Sequence, residues 1–171
     1  TRALEFNSYF AKRLYRMIDQ EGNVLIDIEA MYTMLDMAKR KIAKIPEFMV
    51  TAYEPERVKK VARQVAPTLF AEGEVADRTQ EYAVRYLDID SNQHVNNSRY
   101  FDWMQDVLDD EFLKTHEPKH LNIKYEREVL LGDWIKSEAK IELDTLETVH
   151  RIWAGKTLSA EASINWTLAG N

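Results

Sequence analysis

The chain has 171 residues, 45% of them apolar and 30% charged, enough to build one core, or one full domain and part of another. Its net charge of −6 gives no general reason to expect nucleic-acid binding, and the lack of cysteine excludes disulfides, thiolate metal sites and a cysteine nucleophile. No apolar run approaches the roughly 20 residues that span a bilayer and the opening Thr1-Arg2-Ala3-Leu4-Glu5 lacks a secretory pattern, so a reducing, cytoplasmic setting is expected.

Residues 5–18 and 24–35 are rich in aromatic and branched types, and Asp19-Gln20-Glu21-Gly22-Asn23 between them supplies turn chemistry, which predicts a long β-hairpin. A second turn at 36–40 leads to a short strand at 41–45, closed by Pro46. The small sheet has no helix of its own to cover Phe6, Phe10, Ile26 and Ile28, so something must pack against it. Residues 47–80 read as a connector carrying one short helix, with Pro55, Pro67, Gly73 and a basic cluster at Arg57, Lys59, Lys60 and Arg63.

Tyr82, Val84 and Tyr86 then alternate with polar positions before a polar loop at 88–97. From 98 to 114 the apolar residues Tyr100, Phe101, Met104, Val107, Leu108 and Phe112 recur every three or four positions, predicting a core helix about 25 Å long at 1.5 Å per residue. Four strands are expected at 120–129, 134–143, 148–154 and 158–168. In the second of them Ile135, Ser137, Ala139, Ile141 and Leu143 alternate with charged residues, so one face of the sheet is expected to meet water. The order strand, long helix, four strands is an α+β pattern, a helix against a curled antiparallel sheet.

The chemistry concentrates in Asp88-Ile89-Asp90-Ser91-Asn92-Gln93-His94-Val95-Asn96-Asn97. Asp88, Asp90 and Asn92 match the first ligand positions of a calcium loop, but Gln93 stands where glycine is needed and Arg99 where a bidentate glutamate is needed. Asn97 or Ser98 makes a good helix N-cap, which accounts for one polar residue rather than for all of them. The unpaired amides of that helix start would polarise a thioester carbonyl and stabilise its oxyanion, and one well-placed donor is typically worth about 3 kcal/mol. Asp88, Asp90 and His94 are the nearby candidates for base or nucleophile. If the loop is extended, Asp90, Asn92 and His94 project to one side.

This run, followed by Tyr100 and Trp103, resembles the active-site signature of the acyl-(acyl carrier protein) thioesterases of plants and bacteria, members of the hotdog-fold superfamily. The resemblance continues in Leu121-Asn122-Ile123-Lys124-Tyr125-Glu126-Arg127-Glu128, and residues 7–36 are similar to the end of the family's first hotdog unit. It implies a hotdog fold, with residues 1–46 as the C-terminal strands of a first unit, 47–80 as linker and 81–171 as a complete second unit. The chain would then be a fragment.

The resemblance also implies a catalytic set of Asp90, Asn92, His94 and Glu128, with no cofactor and no metal. The position after the glutamate is often cysteine in the family; here it is Val129, so a cysteine mechanism is impossible. Either Glu128 or Asp90 activates water, or Asp90 attacks directly, while Asn92 and His94 orient the base and stabilise charge. Strict alternation from Ile123 and Tyr125 would turn Glu128 to the polar face, so its reaching the site requires a bulge. The implied function is hydrolysis of long-chain acyl thioesters of acyl carrier protein in fatty acid synthesis, in the cytoplasm or, in a plant, the plastid stroma. A homodimer is possible. The competing readings are an acyl-CoA thioesterase, a hydratase, whose usual aspartate-to-histidine spacing is five rather than four, and a non-catalytic acyl-binding module. Lys59, Lys60 and Arg63, or Lys119 and Lys124, are candidates for docking an acidic carrier, although such clusters are usually solvated faces.

Overall fold

Asn7 breaks the first expected strand in two, because its Oδ1 accepts from the amides of Tyr9 and Phe10 and turns the chain. In the computed structural model, which describes residues 1–36, 38–39 and 41–170, β1 (Arg2–Phe6) therefore precedes β2 (Phe10–Ile18). The predicted hairpin joins β2 to β3 (Val24–Asp36), pairing Met17 with Ile26 and Tyr15 with Ile28. Its turn is closed by Asp19 N donating to Asn23 O at 3.0 Å and Asn23 N donating to Asp19 Oδ1 at 2.7 Å, with Gly22 at φ 89 in the left-handed region. Strand β4 (Lys41–Ala43) flanks β3, and β5 (Glu56–Arg57) runs parallel to β1 beyond the short helix α1 (Glu47–Tyr53). The expected turn at 36–40 includes Met37 and Arg40, which, like Asn171, lie outside the described residues.

The sheet order β4-β3-β2-β1-β5 forms one compact unit, Thr1–Gln64. Helix α1 buries none of its residues, and Met17, Ile26 and Ile28 stay exposed on the sheet. Phe6 departs from the expected open face. It is buried, with the Arg57 guanidinium 4.7 Å above its ring.

The second unit, Val65–Asn171, holds the strand-helix-strands pattern. Of the stretch 47–80 read as a connector, 47–64 packs with the first unit and 65–80 with the second. Strand β6 (Arg78–Ala83) leads through a 3-10 turn (Tyr86–Asp88) and the polar loop into α2 (Ser98–Asp106) and α3 (Asp110–Thr115). Four strands follow: β7 (His116–Tyr125), β8 (Trp134–Glu142), β9 (Glu147–Ala154) and β10 (Thr157–Leu168). Their order β6-β8-β9-β10-β7 is antiparallel throughout, a curled sheet on a helical layer, as the α+β hotdog expectation required.

The core helix is interrupted where one continuous helix was expected. Asp109 Oδ1 accepts from Phe112 N at 2.8 Å and starts a second helix, so the apolar spacing runs on across a break in the backbone. Tyr100, Trp103 and Met104 of α2 pack on Val129, Ile135 and Ile152, while Val107, Leu108 and Phe112 form a separate cluster with Ile164 and Trp166. Full burial of each large aliphatic side chain contributes roughly 2 kcal/mol.

The outer face of the sheet also differs from expectation. Thr68 N donates to Ser163 Oγ at 3.2 Å, Thr68 Oγ1 donates to Glu147 at 2.9 Å, and the Arg151 guanidinium lies 3.8 Å above the Phe70 ring. Beneath this strap Glu138, only 9% exposed, accepts from Arg151 Nε and Trp153 Nε1, each at 2.9 Å, and pairs with Lys136. Burial opposes its ionisation, but these donors outweigh burial and hold the carboxyl below its usual range. A charged alternation thus ends as a paired, half-covered face rather than a wet one.

Candidate active site

The polar loop is a tight hairpin, not an extended segment. Ile89 and Val95 form an antiparallel bridge, Asp90 N donates to His94 O at 2.8 Å, and Gln93 N donates to Asp90 O at 3.1 Å. Ser91, Asn92 and Gln93 make a three-residue turn, and Gln93 occupies the left-handed region at φ 67. Asn92 folds back, its N donating to Asp90 Oδ1 at 2.7 Å and its Nδ2 to Oδ2 at 3.5 Å. Asp90 and His94 therefore face each other at the ends of the hairpin arms, with Asn92 over the Asp90 carboxylate. The three side chains share one cavity through this turn rather than through the alternation of an extended loop.

Asp88 joins the neck of this hairpin to its surroundings. The side chain is 1% exposed and accepts from Arg85 N at 2.8 Å, Arg85 Nε at 3.2 Å and Arg85 Nη2 at 2.8 Å, with Arg99 Nε at 3.6 Å. Burial opposes its charge, and the Arg85 hydrogen bonds with the Arg99 charge overcome that penalty and keep the carboxyl below its usual range. Its backbone oxygen accepts from Asn96 N at 2.7 Å. Turned toward two guanidinium groups, Asp88 is not a partner of Asp90 and does not line the cavity.

Asn97 is the N-cap position of helix α2, as expected, but its side chain makes no capping hydrogen bond; Asn96 Oδ1 instead accepts from Ser98 N at 2.9 Å. Asn97 lines the cavity, and its backbone N–H donates no hydrogen bond among the described residues. It sits at the positive end of the helix dipole, where an incoming carbonyl oxygen would be stabilised. Tyr125 Oη donates to Asn97 O at 3.3 Å and fixes this residue from below.

Glu128 reaches the site by the bulge that its position in the alternation demanded. The amides of Glu126 and Arg127 both donate to Ser159 O, at 2.8 and 3.2 Å, so two residues of this segment oppose one of β10. The extra residue turns Glu128 to the same side as Tyr125. Just beyond, Val95 N donates to Val129 O at 2.9 Å and holds the hairpin against this segment. The result is a contact of 3.3 Å between His94 Nε2 and Glu128 Oε2.

Asp90, Asn92, His94 and Glu128 thus line one cavity of about 450 Å³, closed on its inner side by Tyr100 and Tyr125, whose rings meet edge-on at 5.1 Å. Burial, then the negative charges of Asp133 and Glu128, push the Tyr100 phenol up to about 12; burial, then Tyr100, raises Tyr125 as well. Both phenols are therefore neutral near pH 7 and can donate hydrogen bonds but not act as bases. The tyrosine walls, Asn97 and the mouth residue Arg127 were not singled out from sequence as site residues. The inward parity shared by Ile123 and Tyr125 is the signal for Tyr125, whereas Asn97 is legible from sequence as a helix cap and not as a donor to the site.

The acyl-ACP thioesterase C-terminal domain family matches residues 72–168, and the N-terminal domain family matches residues 1–53. The chain belongs to the acyl-ACP thioesterases. It is 27% identical over 121 residues to the chloroplastic dodecanoyl-[acyl-carrier-protein] hydrolase of Cinnamomum camphora, covering 68% of this chain and 31% of that protein. It spans about a third of the length of such curated relatives. A Lactobacillus plantarum protein described as a candidate oleoyl thioesterase superposes with a TM-score of 0.91 at 35% identity, covering 99% of this chain and 68% of that one. The 12:0-ACP thioesterase of Umbellularia californica, at 19% identity, shares the fold with a TM-score of 0.83, over 98% of this chain and 66% of that one. Among the described residues no helix is long and apolar enough to cross a membrane.

Proposed function

We propose that this protein hydrolyses long-chain acyl thioesters carried on acyl carrier protein, with Glu128 as the base that activates water. The observation that carries the reading is the 3.3 Å contact of His94 Nε2 with Glu128 Oε2 in the cavity that also holds Asp90 and Asn92. Family membership supports the hydrolase class, and the printed activities of the relatives support the carrier and the acyl group.

The chemistry follows from these groups. A proton on His94 Nε2 donates to Glu128 and orients its carboxylate, which takes a proton from water as the water oxygen bonds to the thioester carbon. The oxyanion forms against the Asn97 amide at the helix start. As the C–S bond breaks, the proton held by Glu128 passes to the departing sulfur, giving fatty acid and free thiol. Asp90, held by Asn92, orients the water from the opposite arm of the hairpin. The first 46 residues are proposed to be the last strands of a preceding hotdog unit, and the setting to be that of fatty acid synthesis, in the cytoplasm or the plastid stroma. Dimerisation belongs to the same proposal.

The test is thiol release from a long-chain acyl carrier protein substrate, with acyl-CoA in a parallel arm. Glu128→Gln and His94→Ala should each lower the rate by roughly 10²- to 10⁴-fold, the usual contribution of a positioned acid or base. Undiminished rates in these variants would sink the assignment. Single turnover in ¹⁸O water distinguishes the routes: label in the fatty acid supports water attack, and label retained in Asp90 would overturn it in favour of direct attack by Asp90.

A further inference from the structure

We infer that Asp88, with Arg85 and Arg99, is a positioning clamp that fixes the catalytic hairpin relative to the start of α2. The inference rests on the hydrolase reading for its kinetic consequence, but the clamp itself is a matter of geometry. Asp88 is a fully buried carboxylate that the reaction does not touch. Its side chain binds Arg85, at the end of the segment after β6, and contacts Arg99, in the first turn of α2. Its backbone oxygen receives Asn96 N, so one residue links the incoming strand, both arms of the hairpin and the helix.

Those parts carry different halves of the chemistry. The hairpin carries Asp90 and His94, and the helix start carries the Asn97 amide. A small rotation at the neck would leave each half intact while moving Asp90 and His94, which orient the water and the Glu128 base, away from the oxyanion donor, and misplacement by about 1 Å can cost on the order of 10²-fold in rate. Arg99 is itself steadied by Asp102, to which its Nη1 donates at 2.8 Å. A buried carboxylate that served only to fill space would be replaced more cheaply by an apolar residue; three hydrogen bonds from Arg85 and the charge contact of Arg99 converging on Asp88 argue for a fixed joint.

The test uses the whole chain with Arg85→Met, whose guanidinium lies largely in solvent and whose loss leaves the core untouched, and Asp88→Asn beside it. Thiol release should show kcat lowered about 10- to 100-fold with KM within about twofold, because the binding surface is unchanged. Amide hydrogen exchange should quicken at Asp90 and Asn96, the donors of the hairpin's closing bonds, and not in β8 or β9. Wild-type kcat in Arg85→Met, or unchanged exchange at Asp90 and Asn96, overturns the clamp. If Asp88→Asn does not fold, Arg85→Met still decides the matter. Absence of thiol release in the wild type would overturn the hydrolase reading, whereas the exchange measurement judges the clamp independently of any substrate.

Discussion

Lowering the pH should weaken the second unit through one residue, His150. Its side chain has no solvent exposure, Nε2 contacts Thr148 Oγ1 at 2.8 Å, and Nδ1 has no hydrogen-bond partner. Thr148 Oγ1 already accepts from Trp166 Nε1 at 2.8 Å, so the imidazole sits in a polar chain that offers nothing to a second proton. Burial pushes its pKa down to about 3 from the ordinary 6.5. Because the folded value is depressed, the unfolded chain binds the extra proton between these limits. Stability is then fully present above about pH 6.5 and falls as the pH drops toward 3, by about 1.4 kcal/mol per unit once below the unfolded value. At pH 5 the loss is about 2 kcal/mol relative to pH 7.5. Trp103, Trp134, Trp153 and Trp166 are the four tryptophans and all lie in the second unit, so urea titrations followed by indole fluorescence report on it directly. His150→Phe should flatten the pH dependence between pH 5 and 7.5. An equal slope in the variant and the wild type would refute the assignment of that slope to His150.

Two further outcomes follow from the backbone. Deleting Glu126 removes the extra residue of the bulge, restores simple alternation and turns Glu128 away from the cavity, so thiol release should fall about as far as in Glu128→Gln while the far-ultraviolet circular dichroism is kept. Replacing Gln93 with Gly relieves a side chain held at φ 67, which should raise stability by about 1 kcal/mol and the melting temperature by about 2–4 °C, measured by calorimetry.

Much of this architecture was legible because period and parity speak plainly. The hairpin around Asp19-Gln20-Glu21-Gly22-Asn23, the last three strands and the position of the loop before the helix all follow from alternation and turn residues. The bulge before Glu128 followed from parity together with the site that the resemblance implied, since an inward Tyr125 and an inward Glu128 cannot share an unbroken strand. The helix break at Asp109 was hidden, because Met104, Val107, Leu108 and Phe112 keep helical spacing across it. The strap of Pro67, Thr68 and Phe70 left no periodic trace, and its cover over Glu138 could not be inferred from a charged alternation. The loop's hairpin shape is hidden for a related reason: left-handed geometry usually announces itself through glycine, as at Gly22, and at Gln93 it does not.

The break at Asp109 has a consequence for how this protein tolerates change. It divides the helical layer so that Tyr100, Trp103 and Met104 support the floor of the cavity, while Leu108, Phe112 and Trp166 pack at the other end of the unit. Robustness and the candidate site are thereby lodged in different neighbourhoods. Repacking the distal cluster offers a route to a tougher unit whose candidate site is insulated from the alteration, whereas any change beneath Tyr100 acts on both at once.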